Sequence, residues 1–381
     1  MSNIQITDLR KEFDVPGGVE VAVDDVSFEL NEGEFVTLVG PSGCGKTTTL
    51  RCLAGLEIPT SGSIEFDNVD VTEVPAHHRG LAMMFQNIAL YPHMTIRENI
   101  AYPLKLQGIP EAERHDEAEE AAEIMQIPEL VDKYPGELSG GQQQRAALAR
   151  TIVQDPIAFL MDEPLAALDA KLKVEIRKEI QKVHRRLDKP TLYVTHDQEE
   201  ALTMSDRIAI MNDGSLEQIG TREEVYDYPK NTFVARFIGN PSINLVDATL
   251  ESLDENEGTV QVGETTISFE TDVLREDPAD SDIVFGFRPQ GVELNPNAAD
   301  PDFEGELLLL EPVDDRALAT ISWEYGEVNG LVPTRQALEE GERVGITIDT
   351  RNIYLFDAKT KELIAKSKAP EHEVRPDLAA E

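Results

Sequence analysis

The chain is poor in cysteine, in tryptophan and in positive charge, and it has no long apolar run. Its two cysteines, Cys44 and Cys52, fall in a loop and in the helix expected after it. Eight helical residues rise about 12 Å, past the roughly 7 Å limit between bridged Cα atoms. Free thiols are therefore expected, as in a reducing cytosol. No apolar stretch approaches the roughly 18 to 20 residues that cross a bilayer, and Leu307–Leu310 is only strand length. The first five residues lack the basic region and apolar stretch of a secretion signal, so a soluble, cytosolic chain is expected.

Lysine and arginine number 34 against 73 aspartate and glutamate, a net charge of −39. Such a surface repels nucleic acid, which argues strongly against it as a partner. Residues 1–240 carry −18 and residues 241–381 carry −21, so the acid is spread along the chain and densest after residue 240. The carboxylates form no ligand-spaced cluster, which argues against an acidic cation-binding tail. A chain kept soluble in a salt-loaded cytoplasm fits better, because about 1 M salt shortens screening to about 3 Å. An extreme halophile is the expected source.

Against this background Gly40-Pro41-Ser42-Gly43-Cys44-Gly45-Lys46-Thr47 stands out, matching the phosphate-loop pattern G-x-x-x-x-G-K-[ST] at every fixed position. An apolar strand from Glu34 to Val39 enters it, and Thr48 to Leu56 reads as a helix leaving it. The glycines let backbone N–H groups turn toward a polyphosphate at the positive end of a helix dipole. Lys46 then reaches the β- and γ-phosphates and Thr47 ligates Mg²⁺. Cys44 is read as a small packed residue, with a redox-sensitive thiol as the alternative.

The first part of the chain alternates strand-like and helix-like segments, which indicates an α/β domain on a mainly parallel sheet. Strands are expected at Ile4–Asp8, Val21–Leu30, Phe35–Val39, Ser63–Phe66, Ala82–Phe85, Ile157–Met161, Thr191–Thr195 and Arg207–Met211. Helices are expected at Glu111–Met125 and Ala170–Leu187. Residues from about 87 to 155 show no good strand and read as an inserted helical subdomain. Composition shifts near Gly239-Asn240-Pro241-Ser242. Short runs beyond it (Thr259–Val262, Thr265–Phe269, Ile283–Phe287, Ala317–Trp323, Arg343–Ile348 and Ile353–Phe356) are separated by Gly, Pro, Asn and Asp, as in a small all-β barrel or sandwich. Domains are thus expected at 1–238 and 239–381, with a frayed tail from about 369.

Ile157 to Glu163 is an apolar strand ending in two carboxylates. A buried parallel strand delivers its last residues to the edge where ligands of open α/β sheets bind. Asp162 is suited to hold Mg²⁺ through water, and Glu163 to accept a proton from water attacking the γ-phosphorus. Leu138-Ser139-Gly140-Gly141-Gln142 is a second Gly-Gly turn opening a helix, with Ser139 at the cap. Standing alone, it would be an ordinary capped helix start. His77 and His78 carry no motif and are expected to be solvated.

Taken together, these motifs resemble the ATP-binding subunits of ABC transporters, in particular the maltose-type sugar importers. The Walker A loop (Gly40 to Thr47), the LSGGQ signature (Leu138 to Gln142) and the Walker B strand (Ile157 to Glu163) stand in family order. The resemblance covers about residues 1–235 and implies a P-loop ABC ATPase fold. The residues after 240 resemble that family's OB-type (TOBE-like) regulatory extension, through Phe233 to Pro241 and Phe285-Gly286-Phe287-Arg288-Pro289.

The resemblance further implies that Gln86 is the Q-loop glutamine, a nucleotide-site residue and a further metal ligand. It makes His196 the switch histidine on the γ-phosphate, Asp169 the D-loop aspartate and Phe13 the aromatic on adenine, with simple packing as the alternative for Phe13. Lys46, Glu163 and His196 become the catalytic residues. Gly40, Pro41, Ser42, Gly43, Cys44, Gly45, Lys46, Thr47, Thr48, Ser139, Gly140, Gly141 and Gln142 become nucleotide ligands; Thr47, Gln86 and Asp162 become metal ligands. The D-loop, Leu165 to Asp169, departs from the family at Ala166, where a serine hydroxyl is usual.

ATP and Mg²⁺ are the implied cofactors. ATP is clasped between Lys46 of one subunit and Ser139-Gly140-Gly141 of another, in a head-to-tail homodimer or a heterodimer with a related ATPase. Two membrane permeases and an extracellular, lipid-anchored solute-binding protein are the implied partners, with the chain peripheral on the cytoplasmic face of the membrane. Residues 89–93 (Ala-Leu-Tyr-Pro-His) are expected to form part of a docking groove for a permease helix. The cargo is read as a sugar, mono- or oligosaccharide, with pentoses included. Polyamine, iron or another solute is the alternative, and a non-transport ABC ATPase on ribosomes or DNA is a second one, disfavoured by the charge.

Overall fold

A computed structural model describes residues 3–86, 89–275, 281–313, 315–334, 336 and 338–368. The tail expected to fray from about 369 lies outside the described residues. Two compact units divide the chain, Met1–Arg222 and Glu223–Glu381.

The first unit opens with a long hairpin, β1 (Ile4–Val15) and β2 (Gly18–Leu30). Its register slips between Ile6 and Leu9, Leu9 and Lys11, and Lys11 and Glu12. Each slip breaks the period-two alternation that marks a strand in sequence, so β1 runs well past the expected limit at Asp8. After β3 (Phe35–Val39), the strands β4 (Ser61–Phe66) and β5 (Val69–Asp70) complete a four-stranded antiparallel sheet in the order β2-β1-β4-β5.

All five residues of β3 are buried, as a strand covered on both faces requires. With β6 (Ala82–Met84), β7 (Phe159–Asp162), β8 (Thr191–Val194), β9 (Arg207–Asn212) and β10 (Ser215–Gly220) it builds a six-stranded sheet, β10-β9-β3-β8-β7-β6. Only the β10–β9 pair is antiparallel. Helix α1 (Lys46–Ala54) follows β3.

Between β6 and β7 lie α2 (Ile96–Leu106), α3 (Glu111–Ile124) and α4 (Gly140–Ile152), with no strand among the described residues. Thr95 and Glu98 form a reciprocal cap at the start of α2. The charged helix α3 buries only Ala118, Ala121 and Ala122, small enough to let it lie close on its neighbours. Helix α5 (Ala170–Leu187) buries Ile176, Arg177, Ile180 and Val183 along one stripe, and α6 (Gln198–Met204) leads into β9.

The second unit takes in α7 (Arg222–Asp227) after its first residue, and α8 (Thr232–Phe237). Its barrel closes in the order β11-β12-β13-β21-β20-β14, from β11 (Asn244–Leu253), β12 (Glu257–Val262), β13 (Thr265–Leu274), β14 (Asp282–Phe287), β20 (Ile353–Asp357) and β21 (Leu363–Ser367). Inserted after β14 is a five-stranded antiparallel sheet, β15-β19-β16-β17-β18, built of β15 (Val292–Asn295), β16 (Phe303–Val313), β17 (Arg316–Trp323), β18 (Gly326–Pro333) and β19 (Arg343–Ile348). Barrel and sheet share one apolar core.

The units part upstream of the composition shift at 239, and Arg288 explains why residues 223–238 belong with the barrel. Arg288 is 2% exposed, and its guanidinium donates to the carbonyls of Ala235 (3.0 Å), Ile238 (2.7 Å) and Tyr226 (2.9 Å). It also lies 4.3 Å from the Tyr226 ring centre. An Arg288→Ala variant removes a buried, charged donor from three carbonyls, each such loss costing about 1–3 kcal/mol. The denaturation midpoint of the second unit, followed by Trp323 fluorescence, should fall sharply.

Candidate functional site

The site begins with the register of the parallel sheet. Leu38 and Asp162 both pair with Val194, so β3, β7 and β8 end at one level. The amide of Glu163 then donates to Val194 O (2.9 Å), and that of Thr195 to Leu38 O (3.3 Å). Three turns, after Val39, Asp162 and Val194, therefore leave the same carboxyl edge.

The first turn is the glycine loop. Gly45 takes φ +100° as it enters α1, and a Cβ there would stand 2.3 Å from the Ala22 carbonyl oxygen, so only glycine fits. No side chain caps α1, which leaves its first-turn amides facing the loop. Lys46 is 6% exposed, and its Nζ donates to the carbonyls of Gly40 and Pro41, each at 2.8 Å. The cation thus sits inside the turn. The Cys44 thiol is buried 3.8 Å from that Nζ, and burial pushes its pKa up.

The other two turns bring the carboxylates and the histidine. Thr47 Oγ1 donates to Asp162 Oδ1 at 3.1 Å, and burial raises the pKa of Asp162 from its ordinary value. Glu163 adopts the left-handed φ of +47°, a conformation a non-glycine residue holds only where its surroundings fix it. Its carboxylate accepts from Gln86 Nε2 (3.0 Å) and faces His196 Nδ1 at 3.2 Å. Lys46, Thr47, Asp162, Glu163, Gln86 and His196 are thereby linked in one cluster.

The remaining sequence candidates lie elsewhere. Ser139 and Gln142 form a capping box at the start of α4, Ser139 N to Gln142 Oε1 at 2.9 Å and Gln142 N to Ser139 Oγ at 3.4 Å. This corner, with Gly140 and Gly141, reaches solvent. Asp169 caps α5 by accepting from Leu172 N at 3.0 Å. Ala166 is exposed beside it. Phe13 faces Glu20 across the first hairpin, half-buried, with the Lys11 ammonium 4.9 Å from its ring centre. Residues 89–95 are pinned by the buried Asn99, whose side chain bonds Tyr91 N (2.7 Å), Tyr91 O (3.0 Å), Met94 O (3.1 Å) and Thr95 O (2.9 Å).

Sequence reasoning missed Gln144. It is buried, donates to Glu163 O (3.3 Å) and accepts from Ala167 N (2.9 Å), tying the signature helix to the turn that carries the carboxylates. Within a Gln-Gln-Gln run nothing local marks it. It missed Arg79 too, which is 2% exposed and donates to Cys52 O (2.9 Å) and Leu53 O (2.8 Å), anchoring the far end of α1.

Among known proteins, the family model described as ABC transporter matches residues 23–166. The xylose/arabinose import ATP-binding protein XacJ of Haloferax volcanii is 44% identical over 374 residues, 94% of this chain and 95% of its own. The trehalose/maltose import ATP-binding protein MalK of Thermococcus litoralis is 43% identical over 380 residues, 96% and 100%. The sn-glycerol-3-phosphate import ATP-binding protein UgpC 1 of Rhizobium etli is 42% identical over 363 residues, 94% and 98%. Of solved structures, the dimeric post-hydrolysis ATP-binding cassette MJ0796 bound to ADP and Pi is similar at TM-score 0.55 and 30% identity, over 57% of this chain and 98% of that one.

Burial of an ionised Asp162 opposes folding, since its native pKa is raised and the charged form is the disfavoured one. Asp162→Asn should therefore melt at or above the parent temperature near neutral pH, in calorimetry without nucleotide. Gly45→Ala should melt lower.

Proposed function

Because this chain belongs to the ABC transporter ATP-binding family, we propose that it is the energy-coupling ATPase subunit of a solute importer whose cargo is a sugar. It hydrolyses ATP to ADP and phosphate. The observation that carries the reading is the convergence of Lys46, Thr47, Asp162, Glu163, Gln86 and His196 at one sheet edge.

ATP lies with its phosphates in the Gly40–Thr48 loop, where Lys46 turns from the loop carbonyls to the β- and γ-phosphates. Phe13 stacks on adenine. The Asp162 carboxylate and the Thr47 hydroxyl suit Mg²⁺, because a hard cation takes oxygen donors and keeps waters and substrate phosphates as its other ligands. Mg²⁺, when bound, neutralises charge on the β- and γ-phosphates. Gln86 is the further ligand on this side. Glu163 accepts a proton from the water attacking the γ-phosphorus, and His196, beside Glu163, contacts the γ-phosphate.

The exposed Ser139-Gly140-Gly141-Gln142 corner meets the ATP of a second subunit, with Asp169 at the same interface. That second subunit is a further copy or a related ATPase. Permease subunits dock near Gln86 and residues 89–93, and an extracellular binding protein delivers the solute. The chain then sits peripherally on the cytoplasmic face of the membrane; no described helix is long and apolar enough to cross it. The second unit, which begins at Glu223 and takes in the residues from 239 onward expected to be the regulatory extension, serves that regulatory role. Relatives named for pentoses, disaccharides and a polyol phosphate are nearly equally similar, so cargo choice rests with the partners. The charge of −39 fits work at high ionic strength.

The test is Mg²⁺-dependent phosphate release by the full chain across KCl concentrations, then labelled uptake of xylose, maltose and glycerol 3-phosphate by cells with and without the gene. Absence of hydrolysis at every salinity rules the reading out. Glu163→Gln should lower kcat at least about 100-fold, as loss of a general base does, and accumulate an ATP-bound dimer in light scattering. Lys46→Ala removes charge-assisted bonds of about 1.5–3 kcal/mol and should raise the nucleotide Kd at least about tenfold by titration calorimetry.

A further inference from the structure

A buried carboxylate stands behind His196. Glu200, on the first turn of α6, is 3% exposed. Its Oε2 accepts both the Tyr193 hydroxyl and Thr195 Oγ1, each at 2.8 Å. Tyr193 and Thr195 are themselves buried. Thr195 Oγ1 in turn accepts from Asp197 N at 3.0 Å, and Asp197 Oδ1 accepts from Glu199 N (2.9 Å) and Glu200 N (3.3 Å). The residues on both sides of His196 are thus closed into a ring of hydrogen bonds whose hub is the Glu200 carboxylate.

The hub is costly. Its nearest cation, Lys173 Nζ, is 3.9 Å from Oε1, beyond hydrogen-bond range, and burial raises the carboxyl pKa. Poorly compensated buried acids detract from stability, and apolar replacements of such groups are often neutral or stabilising. What Glu200 secures instead is geometry. His196 is more than half exposed on its own account, so the backbone at 195–197 must aim it at Glu163, and that backbone is held by the Glu200 ring.

We propose that Glu200 is a positioning residue for ATP hydrolysis, fixing the turn so that His196 faces Glu163 and the nucleotide. The proposal rests on the ATPase role above. Buried against Tyr193 and Thr195, Glu200 acts through His196.

The experiment measures kcat and KM for Mg-ATP on the full chain at the salinity where the parent is active, for Glu200→Ala, Glu200→Gln, Thr195→Val, His196→Ala and the double variant His196→Ala with Glu200→Ala. Misplacement of a catalytic group by about 1 Å costs up to about 100-fold, so Glu200→Ala should lower kcat about 10- to 100-fold. KM should stay within about twofold, because ground-state binding is untouched. A carboxamide oxygen accepts the same two hydroxyls, so Glu200→Gln should restore most of the rate. Thr195→Val, which removes one spoke of the ring, should lower kcat in the same sense.

In the His196→Ala background, Glu200→Ala should cost nothing further, since its effect runs through that side chain. Parent-like kcat in Glu200→Ala, or a full multiplicative loss on top of His196→Ala, overturns the proposal. If Glu200→Ala does not fold by circular dichroism, Glu200→Gln and Thr195→Val decide it: a Thr195→Val kcat equal to the parent's overturns it. A parent without ATPase activity sinks the underlying role as well. A parent that is slowed by His196→Ala but not by Glu200→Ala sinks this inference alone.

Discussion

The register of three parallel strands is the constraint on which the site depends. Leu38, Val194 and Asp162 stand in one row across β3, β8 and β7. The phosphate loop, the carboxylate pair and the histidine turn all leave the sheet from that row. A one-residue slip of β7 would exchange the faces of Asp162 and Glu163, turning one carboxylate away from Thr47 and the other from His196. The continuous burial of β3, β7 and β8 makes such a slip costly, so the site's geometry is set by packing.

The scarcity of cations gives a second view of the same molecule. In a chain with 34 basic residues against 73 acidic ones, several basic side chains are withdrawn from the surface. Lys46 fills the loop, Arg79 holds the end of α1, Arg288 fastens α7 and α8, and Lys366 lies 4.3 Å from the Tyr228 ring centre. Lys46, Arg79 and Arg288 use carbonyls, and Lys366 adds an ion pair with Asp227 at 3.8 Å to its aromatic face; buried contacts of this kind are screened far less than exposed ones. Salt that screens the acidic exterior therefore leaves such internal contacts largely untouched.

Much of the site was legible because its chemistry is local. The glycine loop, the strand ending in Asp162-Glu163 and the histidine after β8 are contiguous segments, and the bonds Thr47–Asp162 and Glu163–His196 join residues the sequence had already singled out. What stayed hidden is non-local or disguised. The slips in β1 broke its alternation, Lys366 masked the fully buried strand β21, and Gly330 sits where a bulky residue on the buried face of β18 would have marked it. Gln144 and Glu200 lie in runs of like residues, so only their burial distinguishes them. The boundary at 222 rather than 238 depends on one arginine more than fifty positions away.

The capping box at Ser139 and Gln142 has one more consequence. Each residue satisfies the other's backbone N–H, so this surface corner keeps its shape from bonds inside its own four residues. A partner arriving there meets a finished mould and forfeits little chain freedom in seating. Departure of such a partner would likewise leave nothing in the corner to be rebuilt.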